Sequence, residues 1–494
     1  MKKLRFTALL LILILLCGCQ NKPTASPSVT ETPTTTPSPT PAPEPDYAFS
    51  VNTDERFQVI DGFGAGYTWY ADQILDHGHA DEVFNLLFGE GGMTILRFKN
   101  EYGYTNFENS VKTNLAFYEG AKKYADARGE EVTVLYTSWS PAGGTKSNGS
   151  VNGHGTLTKD ADGRYEYGKF AKWWTEAVQA YRDKGLPVDV VSIQNECDYA
   201  VTYDGCEFDP QEGKNASYAK AYLATYAAFQ DAFGTDIPKM VAPETMTCAA
   251  TQIKVYLAEI LKEAPESIYA VAHHLYDGGT STDKPDNCSY DSFSTNLRSL
   301  KDYAQTYGYR LWQTEFYRGT VLQTVNMINN VLTVENANAY IYWGGVWSSD
   351  VTNDLETNTL IPISRDMSNK SGFTGYKLTG AYYAMRHFSE YIRPGYIRVS
   401  ASFSCLSDEP VSGLRQSCFI SPDGKRLVSV LINNSATDLL VDVRSLAGSA
   451  TIVSQSVFTD GFTADMMYRD LGQVPSDGLL TIPAGSVTTV VTDR

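Results

Sequence analysis

Apolar runs of four to eight residues alternate with longer amphipathic stretches through most of this chain, so the hydrophobic period switches repeatedly between about 2 and about 3.6 residues. Buried strands are predicted at 93–98, 132–137, 190–193, 239–242, 268–276, 310–315 and 339–347. Helices are predicted at 72–87, 115–128, 167–184, 217–233, 253–262, 297–307, 321–332 and 372–388. Gly185-Leu186-Pro187 stops the third of these, and Ser217 is placed to cap the fourth. The stripe of Phe170, Trp173, Trp174, Ala177 and Tyr181 reads as packing against a sheet. Strand and helix in strict alternation mean a parallel sheet, and units of about 30–40 residues suit a (β/α)8 TIM barrel. From about residue 392 the pattern changes to short strands at 396–399, 418–420, 426–432, 451–453 and 487–491, separated by turn residues. That is the pattern of a small side β-sandwich. A strand at 49–60 precedes the barrel and is expected to join this side sheet.

The first 46 residues stand outside this scheme. Lys2, Lys3 and Arg5 precede an apolar run from Ala8 to Leu16, too short for a permanent membrane span. Leu16-Cys17-Gly18-Cys19 then reads as a lipobox, although Cys17 is unusual at its position. The expected division is a lipoprotein signal peptide at 1–19 with Cys19 lipidated, a Pro/Thr/Ser-rich tether at 20–46, the N-terminal strand at 47–57, the barrel at 58–391 and the side domain at 392–494. Plain secretion is the alternative to a cell-surface lipoprotein.

Composition narrows the function classes. Hydrophobic content of 43% and charged content of 20% are globular values. A net charge of -17 argues against nucleic acid or an anionic membrane surface as partner, leaving a lipid anchor as the route to a membrane. Beyond Cys17 and Cys19 the cysteines are Cys197, Cys206, Cys248, Cys288, Cys405 and Cys418. An extracytoplasmic setting permits disulfides, and Cys197–Cys206 and Cys405–Cys418 are the pairings that would staple a loop and a hairpin. There is no CxxC, and His273 and His274 fall on opposite faces of one strand, so no metal site is expected. No cofactor is expected, and a monomer is. Asp61-Gly62-Phe63-Gly64-Ala65-Gly66 lacks the spacing of a dinucleotide fingerprint and reads as a tight turn at the barrel mouth.

The candidate chemistry lies in two strands that each deliver a glutamate at the C-terminal end, Val190-Val191-Ser192-Ile193-Gln194-Asn195-Glu196 and Arg310-Leu311-Trp312-Gln313-Thr314-Glu315. They are 119 positions apart, room for three βα units, so they would end the fourth and seventh barrel strands and open on one face. Two facing carboxylates are what hydrolysis of a glycosidic bond requires. Arg97, at another strand end, would hold a carboxylate ionised, unless it simply pairs with Glu101. Trp139 would floor a sugar subsite. Tyr276 would reach the second glutamate, and Glu244 ends a further strand.

These pieces together resemble glycoside hydrolase family 30. The matching stretches, in order, are Ile60-Asp61-Gly62-Phe63-Gly64, Ile95-Leu96-Arg97, Ser138-Trp139-Ser140-Pro141, the Glu196 strand, Ala242-Pro243-Glu244, His274-Leu275-Tyr276, the Glu315 strand, Tyr342-Trp343 and Phe388-Ser389-Glu390-Tyr391-Ile392-Arg393-Pro394-Gly395. The resemblance implies Glu196 as general acid/base, the protonated partner, and Glu315 as nucleophile. It implies Asn195 bonded to the sugar 2-hydroxyl, Arg97 and Tyr276 keeping Glu315 ionised, Trp139 and Trp343 walling the subsite, and Glu244 orienting a neighbour. Within the family the chain looks most like the bacterial xylanases, which implies a retaining endo-β-1,4-xylanase acting on plant cell-wall xylan. Residues 342–350 lack the arginine with which glucuronoxylanases of that branch bind a glucuronate side group, so glucuronate dependence is not expected. The runner-up is a relative cutting another β-linked glycan such as β-1,6-glucan. A non-catalytic surface glycan-binding protein is the reading from a different class. For the amino-terminal reading, Cys19→Ala should move the protein from the detergent phase to the aqueous phase on partitioning of whole cells, and unchanged partitioning refutes lipidation.

Overall fold

The computed structural model describes residues 43–281, 283–284, 289–317, 319–349, 358–365, 374–407, 410–446, 449–459 and 463–494. The signal peptide with Cys19, most of the tether, Cys288 and Asp350 lie outside the described residues.

Eight parallel strands close into a barrel in chain order: Gly62–Tyr67, Ile95–Lys99, Thr133–Thr137, Val190–Ser192, Lys239–Thr247, Ile268–Asp277, Arg310–Glu315 and Ala339–Tyr342, the last pairing back onto the first. Side-chain alternation sorts each strand into two faces. Ile95, Leu135, Val190, Val241, Ala270, Ala272, Trp312, Ala339 and Ile341 fill the lumen as one apolar cluster. Their sequence neighbours, such as Leu96, Tyr136, Val191 and Ala242, point outward into the larger core beneath the helices. Trp173, Trp174 and Tyr181 of the helix Tyr167–Asp183 belong to that core, and the Ser217 hydroxyl accepts from Lys220 N at 3.2 Å as a cap.

Three features differ from the sequence reading. The glycines at 62, 64 and 66 are not a turn; they lie in the first barrel strand. Gly64 pairs opposite Ile95, where a Cβ would overlap the Ile95 carbonyl oxygen, and a Cβ on Gly66 would overlap that of Trp343. Their role is close approach of backbones. The run at 339–347 splits at Trp343: its first half closes the barrel, and Gly344–Ser348 leaves it to pair with Thr359–Ser364 in a separate three-stranded sheet. The helix expected at 72–87 is three short turns, Ala71–Asp76, Ala80–Phe84 and Asn85–Glu90.

The side domain is a nine-stranded sheet. The N-terminal strand Tyr47–Val59 runs antiparallel to Ile397–Cys405 and so belongs to this domain. The sheet folds back on itself, because Leu479–Ile482 at one edge packs against Arg426–Asn433 and Ser486–Asp493 beyond the middle. Phe49, Val399, Leu431, Val441 and Ile482 form the core between the two layers. Buried His387, on the helix Gly380–Ser389, ties barrel to side domain through Thr489 Oγ1 at 2.9 Å and Ser456 Oγ at 2.8 Å. Burial pushes its pKa down to about 3, so it makes both bonds as a neutral ring.

Neither expected disulfide is present; Cys197, Cys206, Cys248, Cys405 and Cys418 are free thiols. Pairing register explains one case. Cys418 lies opposite Val399, so Cys405 is six residues further along its strand, about 20 Å away. Cys197 is buried with its thiol toward Pro243 O at 3.6 Å. The crowding at the first strand gives a stability test: Gly64→Ala should lower the unfolding free energy by about 2–3 kcal/mol in denaturant titration, and a change within error would mean the neighbouring strand yields freely.

Candidate active site

The C-terminal ends of the strands surround a cleft of about 1020 Å³, lined among others by Trp69, Trp139, Asn195, Glu196, Glu315 and Trp343. Below it sits Arg97, wholly buried. Arg97 lies two residues beyond lumen-filling Ile95, so alternation points it inward, one layer higher. Its guanidinium donates to Glu315 Oε2 at 2.7 Å, Glu244 Oε1 at 3.1 Å and Asn195 Oδ1 at 2.6 Å, and its Cζ lies 4.5 Å from the Trp139 ring centre. It does not pair with Glu101, which Lys99 holds at 3.1 Å.

Backbone irregularity places the carboxylates. Trp312 fills the lumen, so regular alternation would send Gln313 and Glu315 outward. Pairing instead slips: Gln313 lies opposite His273, but Glu315 lies opposite His274, a bulge that turns Glu315 inward. Val241 likewise fills the lumen, and alternation would send Glu244 outward. A register shift between Pro243 and Thr245, with Glu244 at φ 58°, brings its carboxylate in to Arg97. Glu196 follows the fourth strand at φ 45°, its N–H bonded to Glu244 O at 2.9 Å. Left-handed backbone costs such residues about 1–3 kcal/mol each and persists where surroundings enforce it.

His274 completes the constellation. It shares its strand face with Ala270 and Ala272 and so faces the lumen, whereas His273 points outward to Glu335 Oε1 at 2.7 Å. His274 Nδ1 lies 3.0 Å from Glu196 Oε1, and Nε2 lies 3.6 Å from Glu244 Oε1. Burial opposes its charge, but Glu315, Glu196 and Glu244 outweigh burial and push its pKa up to about 9. Glu244 is the converse: burial works against ionisation, Arg97 and His274 overcome it, and its pKa falls to about 2. For Glu315, burial raises the pKa above the ordinary carboxylate value, helped by Glu196 and opposed by His274 and Arg97. Arg97 therefore moderates the protonation of Glu315 without pulling it below that of an ordinary glutamate. Tyr276 faces Glu315 from a partly buried position in the cleft wall; desolvation and then the carboxylate raise its pKa well above 10, so it stays a neutral phenol.

One oxygen of Glu196, one of Glu315 and a ring nitrogen of His274 lie within 4.8 Å of one another. These are ligand types a metal would use, but Arg97 on the other side of Glu315 and the charged His274 ring already bring two positive groups to these carboxylates, which disfavours a metal cation there.

The rim is aromatic. Trp69 lies 5.3 Å from Trp139 and 5.7 Å from Trp343, ring centre to ring centre, and Trp347 and Tyr317 flank Trp343. Lys99 lies 4.6 Å from the Trp69 ring and pairs with Asp204 of the loop after the fourth strand, clamping rim to loop. Every residue singled out from sequence, Arg97, Trp139, Asn195, Glu196, Glu244, Tyr276, Glu315 and Trp343, is in this assembly. His274, Trp69 and Lys99 join it without having a role in the sequence reading. Strand parity is the signal that would find His274; Trp69 is hidden because the glycine strand that leads to it reads as a turn.

No protein-family model matches the chain. It is 23% identical over 465 residues to a glucuronoxylanase of Bacillus subtilis, 90% of this chain and 92% of that one. It is 24% identical over 350 residues to an endo-1,6-beta-D-glucanase of Aspergillus fumigatus, covering 66% and 64% respectively. Among solved structures, the catalytic domain of the family 30 xylanase C from Talaromyces cellulolyticus matches with a TM-score of 0.67 at 18% identity, over 90% of this chain and all of that one. The chain is thus similar in sequence to these glycosidases and in fold to a family 30 xylanase. The barrel with a fused side domain is the family 30 fold, and the resemblance read from the motifs is borne out.

The His274 charge is testable by linkage. Its folded pKa of about 9 exceeds the ordinary value, so its stabilising contribution is complete below about pH 6.5 and is lost as pH rises through 9. The stability of the wild type relative to His274→Gln should fall by roughly 3 kcal/mol across that window, measured as unfolding free energy against pH; a flat difference would show that the ring is neutral.

Proposed function

We propose that this glycoside hydrolase is a retaining endo-β-1,4-xylanase that does not depend on glucuronate side groups. The observation that carries the retaining reading is the approach of Glu196 and Glu315 oxygens to within 4.8 Å. Retaining glycosidases hold their carboxyl groups about 5–5.5 Å apart, whereas inverting ones leave about 6.5–9.5 Å for a water.

In this reading Glu315 attacks the anomeric carbon while Glu196 gives its proton to the departing glycosidic oxygen. A glycosyl-enzyme ester forms and the aglycone leaves. Glu196, now a carboxylate, takes a proton from water, which attacks the same carbon and frees Glu315. Asn195 Oδ1 is occupied by Arg97, so the amide NH2 is the end left to donate to the sugar 2-hydroxyl. His274 bonds Glu196 and lies 3.9 Å from Glu315 Oε1, so one ring touches both carboxyl groups of the reaction. Trp69, Trp139 and Trp343 present ring faces and edges to the sugar.

Support for xylan comes from the xylanase-type relatives together with the overall fold. The glucuronate-independent reading rests on residues 342–350, which hold no arginine. Lys284, the cation in the described cleft lining, is held by Asp277. The endo-1,6-glucanase relative favours a second reading, hydrolysis of β-1,6-glucan at the same site.

Purified protein should release reducing ends from xylan with net retention at the anomeric carbon, and Glu315→Ala should cut the rate by roughly 10³-fold or more. Faster release from β-1,6-glucan than from xylan selects the second reading. Unsubstituted and glucuronate-bearing xylan should be cut at similar rates; a strong preference for the latter overturns the independence from glucuronate.

A further inference from the structure

A second cavity, of about 600 Å³, lies where the helices Ser294–Tyr307 and Val321–Asn330 meet the side-domain strands Ile397–Cys405 and Leu414–Ile420. It is separate from the catalytic cleft and shares no lining residue with it. Its chemistry is cationic. Arg298, Arg398 and Arg415 line it, against a single carboxylate, Asp291, which bonds Arg415. Arg398 is buried on the sheet with its charge paired to no acid among the described residues. Its guanidinium donates to two neutral amides, Gln58 Oε1 at 3.0 Å and Asn336 Oδ1 at 2.7 Å, and lies over the Phe57 ring. Burial lowers its pKa to about 10, and Glu55 opposes that from a distance. A buried charge without a countercharge is costly unless an anion supplies one.

Two further atoms make this more than a basic patch. Asn329 and Ser417 line the cavity, both are almost wholly buried, and neither Asn329 Oδ1 nor Ser417 Oγ has a hydrogen-bond partner. Buried polar atoms are normally satisfied, so each calls for a donor. A ligand that answers both demands carries a carboxylate for the guanidiniums and hydroxyl groups for the amide and hydroxyl oxygens. Sulfate supplies no donor, a neutral sugar supplies no charge, and the cavity holds far more than a bare anion.

We propose that this cavity is a non-catalytic binding site for a uronate sugar, its carboxylate held by Arg298 and Arg398 and its hydroxyls donating to Asn329 and Ser417. The proposal does not depend on which glycan the cleft cuts. It gives the side domain a share in holding acidic polysaccharide, while the cleft itself needs no uronate.

The test is calorimetric titration of the full chain with glucuronic acid, with glucose, inorganic phosphate and sulfate as comparisons. Glucuronic acid should bind, glucose should not, and neither inorganic anion should compete at equal concentration. Affinity should fall about tenfold or more in Arg298→Ala, whose exposed site makes misfolding no explanation. It should fall likewise in Ser417→Ala and stay unchanged in Trp343→Ala, which alters the cleft instead. Absence of binding, binding unchanged by Arg298→Ala and Ser417→Ala, loss of binding in Trp343→Ala, or phosphate competing as well as glucuronate would each overturn the proposal.

Discussion

The site is organised by one buried cation. Arg97 has no access to water and must find its countercharges inside the barrel. It finds Glu244 and Glu315 from two other strands and an amide oxygen from a third. Removing any partner would leave a charge stranded in low dielectric, so each strand end is held to the others by electrostatics as well as by backbone pairing. His274 adds a second positive group among the same acids. Two cations face three carboxyls, Glu196, Glu244 and Glu315, and hold Glu244 ionised. The charge balance of the shelf belongs to the group of residues more than to any one of them.

The same logic explains the layering of the lumen. Its lower part is apolar and closed by Trp312 and its neighbours, so water does not reach Arg97 from beneath. Above, the tryptophans cover it, Trp139 directly over the guanidinium. Charge is thus confined to a thin shelf between a dry floor and an aromatic rim, where its interactions are stronger than in water. The side domain contributes indirectly. The N-terminal strand leads from its sheet into the first barrel strand, and Ile60 bonds both Tyr396 and Gly395 where the chain leaves the barrel.

Much of this architecture is legible in the order of the residues. Periodicity identifies seven of the eight barrel strands, and the pairing of Glu196 with Glu315 follows from strand ends and spacing alone. What escapes has physical causes. The first strand is glycine-rich because other backbones crowd it, and glycine in a sequence signals turns as readily as close approach. The strand at 439–442, paired to the N-terminal strand, is too short to stand out. Cysteine count permits a hairpin bridge that register then forbids, since Cys405 and Cys418 sit on adjacent strands but far apart along them. Strand parity, applied strictly, assigns His274 to the lumen but misassigns Glu315 and Glu244, because both occupy irregular backbone.

That last feature separates architecture from chemistry. The nucleophile candidate faces inward because its strand carries one residue more than regular pairing needs. Excising that residue would still allow eight strands to close and helices to cover them, yet the carboxylate would swing into the oily jacket outside the lumen. By that geometry, a single-codon deletion beside Glu315 would take this carboxylate away from Arg97 and the cleft while leaving composition and charge almost untouched.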